Sequence, residues 1–466
     1  MRKFAVPFAA IALTGCVNLA PEHVRPPLAT DAHYPQGFEN DVTLGQRATD
    51  VAWRDFFADP QLEALIARAI ERNRDLAVAV ARIEEARGLY RIQDADRLPT
   101  VGASAEAARS RGPSLTGAGT DTSNRYSVGV GVTSFELDFW GRVKNLSEAA
   151  RSQYFATQQA ERAFRLTLVR DVASTYFASH GAEEQIELAE ATVTSRREGL
   201  RIAKLRLDAG VTSALDYRQS ETLLTQAETQ LASLKLAKAQ ADNFLAVLVG
   251  GPLPADLPAP LSLAAQSSPP ALSAGLPSDL LVARPDIVAA EEQLRAARAN
   301  VGAARAAFFP SISLTGNVGF ASSALDGLFT NNGLTWSFGP SITLPIFDFG
   351  RNRGNLTVAE ARENIAVATY EKTVQSAFRE VADALAGRRY LAEQVEAQER
   401  GTLATRRIAD LARKRYREGV STYLEVLDAE RSLFAAEQAL IELRRAQADN
   451  LVTLYVALGG GLVGPA

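Results

Sequence analysis

Residues 334–346 read LTWSFGPSITLPI, and apolar side chains occupy nearly every second position of this stretch. A period of two places those side chains on one face of a β-strand and the small or polar side chains on the other. The same pattern predicts further strands at 99–109, 125–137 and 311–321. Strands of about 9–11 residues can span a membrane when tilted. On pattern alone, a soluble sheet with one buried face fits equally well.

Four strands are too few to close a membrane barrel within one chain, because the smallest single-chain barrels have about eight. An open sheet edge in lipid would leave backbone groups unpaired, at a cost of several kcal/mol each. If the strands span a membrane, several chains must therefore share one barrel, and three chains would supply twelve strands. Pro340 is a mild objection, since a proline inside a strand lacks the backbone donor.

Two stretches without proline and with little glycine, 145–207 and 355–417, predict very long helices. Sixty-three residues correspond to roughly 95 Å of helix at 1.5 Å per residue. Apolar residues recur every seven positions at Ile186, Val193 and Leu200, which is typical of coiled-coil packing. Each long helix runs into a glycine, Gly210 or Gly419, followed by another helical pattern. Glycine is the usual residue that ends a helix in the left-handed conformation, so each marks the tip of a helical hairpin.

The chain repeats itself at a spacing of 209 residues, as Gly141-Arg142 and Gly350-Arg351 illustrate. Each half contains a helix, two strands and a long helical hairpin, so the sequence predicts an internal duplication. The first repeat is placed at 61–251 with its hairpin at 142–249, and the second at 279–460 with its hairpin at 351–458. A linker at 252–278 separates the repeats, and a short tail occupies 461–466.

The N-terminus has the pattern of a secretory signal: Arg2 and Lys3 precede a ten-residue apolar run. The string LTGC at 13–16 resembles a bacterial lipobox, which implies cleavage after residue 15 and acyl chains on Cys16. Val17 follows, without the aspartate that would resemble an inner-membrane retention signal, so the outer membrane is implied. Residues 1–15 are thus expected to be a signal peptide, and 16–60 a lipid-anchored N-terminal segment.

Composition excludes several classes of function. Fifty basic residues against 54 acidic ones leave a net charge of −4, so general nucleic-acid binding is not expected. The chain has no Walker sequence, nucleophile elbow or HExxH helix. With one cysteine and three histidines, it also offers no plausible zinc cluster. The sequence therefore predicts neither an enzyme nor a bound metal or cofactor, apart from the lipid on Cys16.

Several motifs together resemble the outer-membrane factors of tripartite efflux and secretion systems, in particular the lipoprotein branch serving multidrug pumps. They are RPDI at 284–287, GAARAAFFPSI at 302–312, RYREGV at 415–420 and VLDAER at 426–431. The resemblance covers essentially the whole mature chain. It implies an α+β trimer with a shared 12-stranded β-barrel, four strands per chain, in the outer membrane. It also implies a long α-helical barrel that crosses the periplasm, and an equatorial belt built by residues before 61 and by 252–278.

The resemblance further implies a passive conduit that exports drugs or toxic compounds, with energy supplied by partners. Those partners would be a periplasmic membrane-fusion adaptor and an inner-membrane pump, of the RND type above all. The hairpin tips would form a closed periplasmic gate, in which Glu425 and Asp428 constrict the entrance while Asp216 and Tyr416 help to latch it. Three copies of each acid around one axis would favour cations. The residues expected to contact the adaptor are Asp208, Gly210, Val211, Arg417, Glu418, Gly419 and Val420.

Alternatives remain at this stage. Asp208 and Glu418 have the character of ordinary solvated tip residues, and Glu425 and Asp428 could likewise be solvated tip residues or i,i+4 partners of side chains on their own helix. The channel could serve type I protein secretion or metal-ion export instead of drug efflux. The chain could also be a periplasmic coiled-coil scaffold lipoprotein with a soluble sheet and no channel.

Overall fold

A computed structural model describes residues 17–27, 34, 45–113, 117, 119–267, 272–273 and 279–461. The expected signal peptide and Cys16 lie outside the described residues, as do 462–466 of the tail. The chain divides into two compact units. The first comprises the described part of Met1–Pro27 with Arg82–Gln158 and Ala289–Glu371, and the second comprises the described parts of Leu28–Ala81, Gln159–Val288 and Lys372–Ala466.

The elements alternate in the same order twice along the chain. The helices are α1 (Trp53–Phe56), α2 (Pro60–Arg72), α3 (Arg74–Ala95), α4 (Arg142–Asp208), α5 (Ala214–Val249), α6 (Leu280–Ala283), α7 (Pro285–Ala306), α8 (Arg351–Arg417) and α9 (Tyr423–Ala457). The strands are β1 (Gln46–Arg47), β2 (Val101–Pro113), β3 (Thr120–Leu137), β4 (Leu272–Ser273), β5 (Ser311–Ser322) and β6 (Leu334–Thr343). Helix, strand pair and long hairpin thus recur as the duplication requires.

The first unit contains an antiparallel four-stranded sheet in the order β2-β3-β5-β6. The first strand pair is longer than the alternation predicted, since its ladder continues to the pairing of Pro113 with Thr120. The interval 110–124 lies between the predicted strands 99–109 and 125–137, and its polar composition is typical of a loop. Its side chains instead bond across the strands, with Ser110 Oγ 2.9 Å from Ser123 Oγ and Arg111 Nε donating to Thr120 Oγ1 at 3.0 Å.

The last strand is shorter than predicted and ends at Thr343, three residues before Ile346. Pro345 lies in the end of the predicted strand that does not pair, and it has no backbone N–H to extend the ladder. Within the described part of one chain, Pro340 is accommodated because β6 is an edge strand of this sheet, paired with β5 on one side. A bulge between Val132 and Phe135 interrupts the pairing of β3 with β5, and Ser134 there has φ 55°.

Within one chain, the two edge strands of the sheet are uncovered on both faces. Every residue of β6 is exposed, and Trp336 exposes 76% of its surface. All but one residue of β2 is exposed as well. Both edge strands therefore present unpaired backbone groups and uncovered side chains, which is unusual for a sheet that functions as a single copy.

In the second unit, the two segments expected to form an equatorial belt meet one another. β1 pairs in parallel with β4, through Gln46 with Leu272 and Arg47 with Ser273. The carboxylate of Asp59 caps α2 and is fully buried, where it accepts hydrogen bonds from Tyr176 Oη at 2.7 Å and from Leu261 N at 3.1 Å. The buried donors compensate the cost of removing this charge from water.

The long helices α4 and α8 each contain 67 residues, or roughly 100 Å of helix. None of the helices in the described part of the chain is both long and apolar enough to cross a membrane. Their hairpin partners α5 and α9 pack against them through alanines and branched aliphatic side chains. One such cluster contains Ala409, Ala412, Val426 and Ala429, and another contains Val193, Leu224 and Ala227.

Candidate gate at the tips of the helical hairpins

The two hairpin tips, both in the second unit, have the same backbone turn. Gly210 and Gly419 each adopt φ 72°, the left-handed conformation that glycine adopts without strain. Val211 N donates to Arg206 O at 2.8 Å, and Val420 N donates to Arg415 O at 2.9 Å. These bonds define a Schellman motif, which satisfies carbonyls at a helix end. The valines after the glycines are exposed in both tips.

In the first tip, the carboxylate of Asp216 takes part in capping the start of α5. Its carboxylate accepts from Thr212 Oγ1 at 2.7 Å and from Ser213 N at 3.3 Å, while Ser213 Oγ accepts from Asp216 N at 3.2 Å. This reciprocal pattern is a capping box. Hydrogen bonds from Thr212 and Ser213, together with the charge of Arg206, lower the pKa of Asp216 against a small opposing effect of burial.

In the second tip, the equivalent acid has a different role. Thr422 precedes α9 without a side-chain capping bond, and Glu425 Oε1 instead lies 3.6 Å from Arg415 Nη1 at the end of α8. Asp428 forms an ion pair with Arg431 on its own helix. Both acids are substantially exposed. Their carboxylates are therefore available to face a pore, which the capping carboxylate of Asp216 is not.

Tyr416, at the end of α8, joins the second hairpin to the first. Arg206 of α4 donates a hydrogen bond to Tyr416 Oη, and its guanidinium carbon lies 5.3 Å from the centre of the tyrosine ring. Because Arg206 also lowers the pKa of Asp216, one cation interacts with both residues that were expected to form a latch. Within one chain, Arg206 is thus the arginine that contacts Tyr416.

Tyr423 extends this contact deeper between the hairpins. Its ring lies 5.0 Å from that of Tyr416, and a Cβ on Gly199 would stand only 2.7 Å from its hydroxyl. Glycine at position 199 therefore allows the hydroxyl to approach α4. Burial, with the charge of Glu430, raises the pKa of Tyr423 against a hydrogen bond with Ser220.

A buried cation forms a third contact between the hairpins. Arg196 of α4 donates to Leu223 O of α5 at 2.8 Å, and its guanidinium carbon lies 5.2 Å from the ring centre of Phe434 in α9. Arg196 is 93% buried, so the aromatic face and the carbonyl replace much of its hydration. The Arg206, Tyr423 and Arg196 contacts together link α4 to the second hairpin over about three helical turns.

The residues expected to contact an adaptor lie at the exposed ends of the tips. Asp208 forms an exposed pair with Lys204 at 3.6 Å, and Arg417 and Glu418 are exposed as well. Asp208 therefore has an ordinary surface partner. No group of three or more His, Cys, Asp or Glu side chains that could hold a metal lies within the described ranges.

Two segments of the chain, residues 65–251 and 276–460, match the family described as outer membrane efflux protein. The chain belongs to this family. The matched segments correspond to the two halves of the duplication, and each ends at the Gly-Gly pair that closes a hairpin. The predicted family and fold class are confirmed.

Individual members of the family are similar over nearly their whole length. The chain is 44% identical to the solvent efflux pump outer membrane protein SrpC of Pseudomonas putida, over 99% of both chains. It is 42% identical to the cation efflux system protein CusC of Escherichia coli, over 98% of this chain and 99% of that one. The open-state outer membrane channel MtrE of Neisseria gonorrhoeae superposes with a TM-score of 0.86, at 42% identity, over 96% of this chain and 98% of the other. The interpretation as a scaffold without a channel has no support among these relatives.

Sequence reasoning identified the acids of the tips but missed most of what holds the hairpins together. Arg206 was visible only as one of several charges near Gly210, and Arg196 and Phe434 lie 238 positions apart in the chain. The duplication gives no signal for the buried pair, because positions 405 and 225, its equivalents at a spacing of 209, are both threonine. One available signal was Gly199, a glycine inside a long helix, where close approach by another group is a common reason.

Proposed function

We propose that this chain is one of three identical subunits of an outer-membrane channel through which a tripartite pump expels small toxic molecules. The observation that carries the proposal is the open four-stranded sheet of the first unit, with its two unpaired edges and exposed faces. Such a sheet is incomplete alone, and each unpaired backbone group would cost several kcal/mol in lipid. Pairing β6 of one chain with β2 of the next gives twelve strands and no edge.

The conduit has no chemistry of its own in this proposal. Acyl chains on Cys16 hold each subunit to the outer membrane, and the long hairpins extend into the periplasm. There the exposed tips, with Val211 and Val420 at their ends, meet a membrane-fusion adaptor. The adaptor connects the channel to an inner-membrane pump of the RND type, which supplies the energy.

The substrate class is small molecules, and metal cations are the second candidate. The second candidate rests on the similarity to CusC, whose 42% identity nearly equals the 44% identity to the solvent pump protein. Sequence similarity of this size does not separate the two. Growth of a channel-deficient host that carries this chain, in the presence of organic solvent or of toxic metal salts, separates them directly.

The gate of the channel consists of the two tips. At rest, Arg206 and Tyr416 hold the second hairpin against the first. Three copies of Glu425 and Asp428 surround the entrance and favour cations, since clustered carboxylates attract positive charge.

Conductance of the purified trimer in planar bilayers tests this function. The wild-type protein should show a small cation-selective conductance. Tyr416→Phe removes the acceptor of a hydrogen bond to a charged donor, an interaction of about 1.5–3 kcal/mol. The open fraction should therefore rise by roughly tenfold or more. The double variant Glu425→Gln, Asp428→Asn should shift the reversal potential in a salt gradient toward zero.

A matched control is Arg201→Ala, because in the described part of the chain this arginine of α4 pairs only with Glu198 of its own helix, at 2.6 Å. Its conductance should equal that of the wild type. A wild-type trimer without any conductance would refute the channel, and a Tyr416→Phe trimer that conducts like the control would refute the latch.

A further inference from the structure

The sheet of the first unit has two different faces, which the register of its strands defines. Directly paired residues of antiparallel strands point to the same side of a sheet, and successive residues point to opposite sides. One face carries apolar side chains, as in the row formed by Val130, Val318 and Trp336. The other carries small or polar side chains, as in the pair of Asn317 with Ser337. In the proposed barrel, the first face contacts lipid and the second lines the conduit, and they are here termed the lipid face and the pore face.

The strands β2 and β3 extend beyond the other two strands as a two-stranded ribbon. The pairing of β3 with β5 reaches Tyr126 and Ser322, whereas the pairing of β3 with β2 continues to Pro113 and Thr120. The ribbon, defined here as residues 107–113 with 120–126, lies at the end of the sheet opposite to the connections with the helices α3 and α4. In the proposed channel it therefore extends toward the cell exterior.

Both arginines of β2 lie on the lipid face of the ribbon. Arg109 pairs with Asn124 and Arg111 pairs with Thr122, in the two rows beyond the row of Tyr126. Both arginines are exposed. Their paired neighbours are an amide and a hydroxyl, which carry no charge to neutralise them. From the sheet outward, the lipid face thus changes from apolar side chains to a tyrosine and then to two cations.

The charges of the ribbon are divided unequally between its two faces. Asp121 pairs with Gly112 and Arg125 pairs with Ala108, so both charged side chains belong to the pore face. Within the described strands of the ribbon, the pore face therefore carries one charge of each sign, whereas the lipid face carries two positive charges and no acid. A partner that complements the lipid face carries negative charge.

The paired rows of the lipid face determine the level of the two arginines relative to a membrane. From Ile312 to Ser322, which pairs with Tyr126, β5 rises by about 34 Å along the strand, or about 26 Å vertically at a tilt of 40°. The apolar band of a membrane barrel is about 25 Å tall and is flanked by aromatic side chains. Tyr126 therefore marks the outer boundary of the hydrocarbon. Each further row adds about 5 Å vertically, so Arg109 lies about 5 Å and Arg111 about 10 Å beyond this boundary.

These levels distinguish between two kinds of anionic lipid. The headgroup regions of a phospholipid bilayer add about 10–15 Å to a hydrocarbon core of about 30 Å, which is about 5–8 Å on each side. Arg109 lies within a layer of that thickness, and Arg111 lies beyond it. A lipid whose phosphates are carried on sugars has a taller headgroup, which reaches the level of both arginines.

We propose that the lipid face of the ribbon binds a phosphorylated glycolipid of the outer leaflet, with Arg109 and Arg111 donating to its phosphates. The planar guanidinium group of arginine binds phosphate through two parallel hydrogen bonds, which suits this role. The proposal rests on the proposed function, because it needs the sheet to lie in the outer membrane. A two-stranded ribbon is marginally stable on its own, so the bound lipid would also steady it above the barrel.

Native mass spectrometry of the full-length trimer tests the site with bisphosphorylated lipid A, dephosphorylated lipid A, phosphatidylglycerol or inorganic phosphate added. The wild type should retain bisphosphorylated lipid A and should retain the other three more weakly. The double variant Arg109→Gln, Arg111→Gln removes both charged donors and should weaken retention of lipid A by roughly tenfold or more. The double variant Arg109→Lys, Arg111→Lys should show intermediate retention, because lysine keeps the charge but lacks the paired donors. Arg125→Gln is the matched control, since it removes the same charge from the opposite face of the ribbon, and it should bind like the wild type.

Each other outcome overturns the proposal. Equal retention of lipid A by the double glutamine variant and by Arg125→Gln, both measured as intact trimers, would show that the lipid binds elsewhere. Undiminished retention of the dephosphorylated form would show that the phosphates are not recognised, and equal retention of phosphatidylglycerol would refute the glycolipid. Binding of inorganic phosphate with no lipid retained would identify a simple anion site. A wild-type trimer that conducts in bilayers but retains no lipid A would refute this inference while leaving the proposed function intact.

Discussion

The two hairpin tips have nearly the same backbone but use their acids differently. Both turns end in a glycine at φ 72° with the same pair of Schellman bonds. In the first tip, Asp216 completes a capping box with Ser213. In the second, Thr422 makes no capping bond with its side chain, and Glu425 approaches Arg415. The two tips thus share a turn, but only one of the two equivalent carboxylates takes part in a cap.

This difference separates shape from function in a duplicated channel. Backbone turns determine where the hairpins end, so both copies keep the glycine. In the proposed gate, side chains determine what the entrance attracts, and only the first tip uses its acid for capping. If the comparison is correct, substitutions at equivalent positions should have equal effects at the turns and unequal effects elsewhere.

The largest difference in stability between equivalent positions is expected in the second helices of the hairpins. There Asp449 of α9 corresponds to Gln240 of α5. Asp449 exposes 26% of its side chain, and burial raises its pKa to about 6 despite Arg445 at 3.6 Å. Because the folded pKa is higher than the unfolded value of about 3.9, the folded state binds a proton more tightly. Stability therefore falls as pH rises from about 4 to 6. Asp449→Asn should raise the free energy of unfolding by on the order of 2 kcal/mol at pH 8 and should change it little at pH 4.

Thermal unfolding of the trimer at both pH values measures this effect. Asp242→Asn in α5 is a suitable control, because that carboxylate accepts from Lys238 at 3.0 Å and from Ser179, so its loss should not stabilise. Equal stabilisation by Asp449→Asn at pH 4 and pH 8 would show that the burial of charge is not the cause.

At the turns, by contrast, equal effects are expected. Gly210→Val and Gly419→Val should each destabilise the tip by about 1–2 kcal/mol, because the left-handed conformation is costly for a side chain with a Cβ. Among the residues that the structure describes, no atom lies within 4 Å of the position that a Cβ would take at either glycine, so the cost is conformational and not steric. Hydrogen exchange at the amides of Val211 and Val420 reports the change. Asparagine at the same positions should have a smaller effect, and clearly unequal effects of the two valines would break the equivalence of the turns.

The smallest effect separates the two caps. Ser213→Ala should destabilise the start of α5 by about 1 kcal/mol, because it removes the acceptor for Asp216 N. Thr422→Ala should leave the start of α9 nearly unchanged, since its side chain makes no capping bond. Exchange rates of the Asp216 and Glu425 amides compare the two directly. If Thr422→Ala reduced the protection of the Glu425 amide as much as Ser213→Ala reduces that of the Asp216 amide, the assignment of different roles would be contradicted.

Local patterns predicted most of the fold. Proline-free stretches, the tip glycines and the period of two located the hairpins and the strand pairs, because each depends on backbone preferences that a few neighbouring residues express. The errors occurred where partners are distant or unexpected. The polar extension of β2 depends on Ser110 and Arg111 meeting Ser123 and Thr120 across the ladder, and polarity alone suggested a loop.

The candidate gate was only partly predictable for the same reason. The acids were visible because the family resemblance marks their positions. The bond between Arg206 and Tyr416 and the buried Arg196 depend on the packing of α4 against the second hairpin. Nothing in the local sequence encodes that packing, and the duplication conceals it, because these contacts have no symmetric copy.

The unpaired edges of the sheet also have a consequence for inheritance. If three chains must share one barrel, a copy with a damaged β2 or β6 does not merely fail to work. It enters assemblies with intact copies and leaves a gap that their edges cannot close. Edge-strand mutations should therefore be dominant over a wild-type allele, whereas mutations that prevent export of the chain should be recessive.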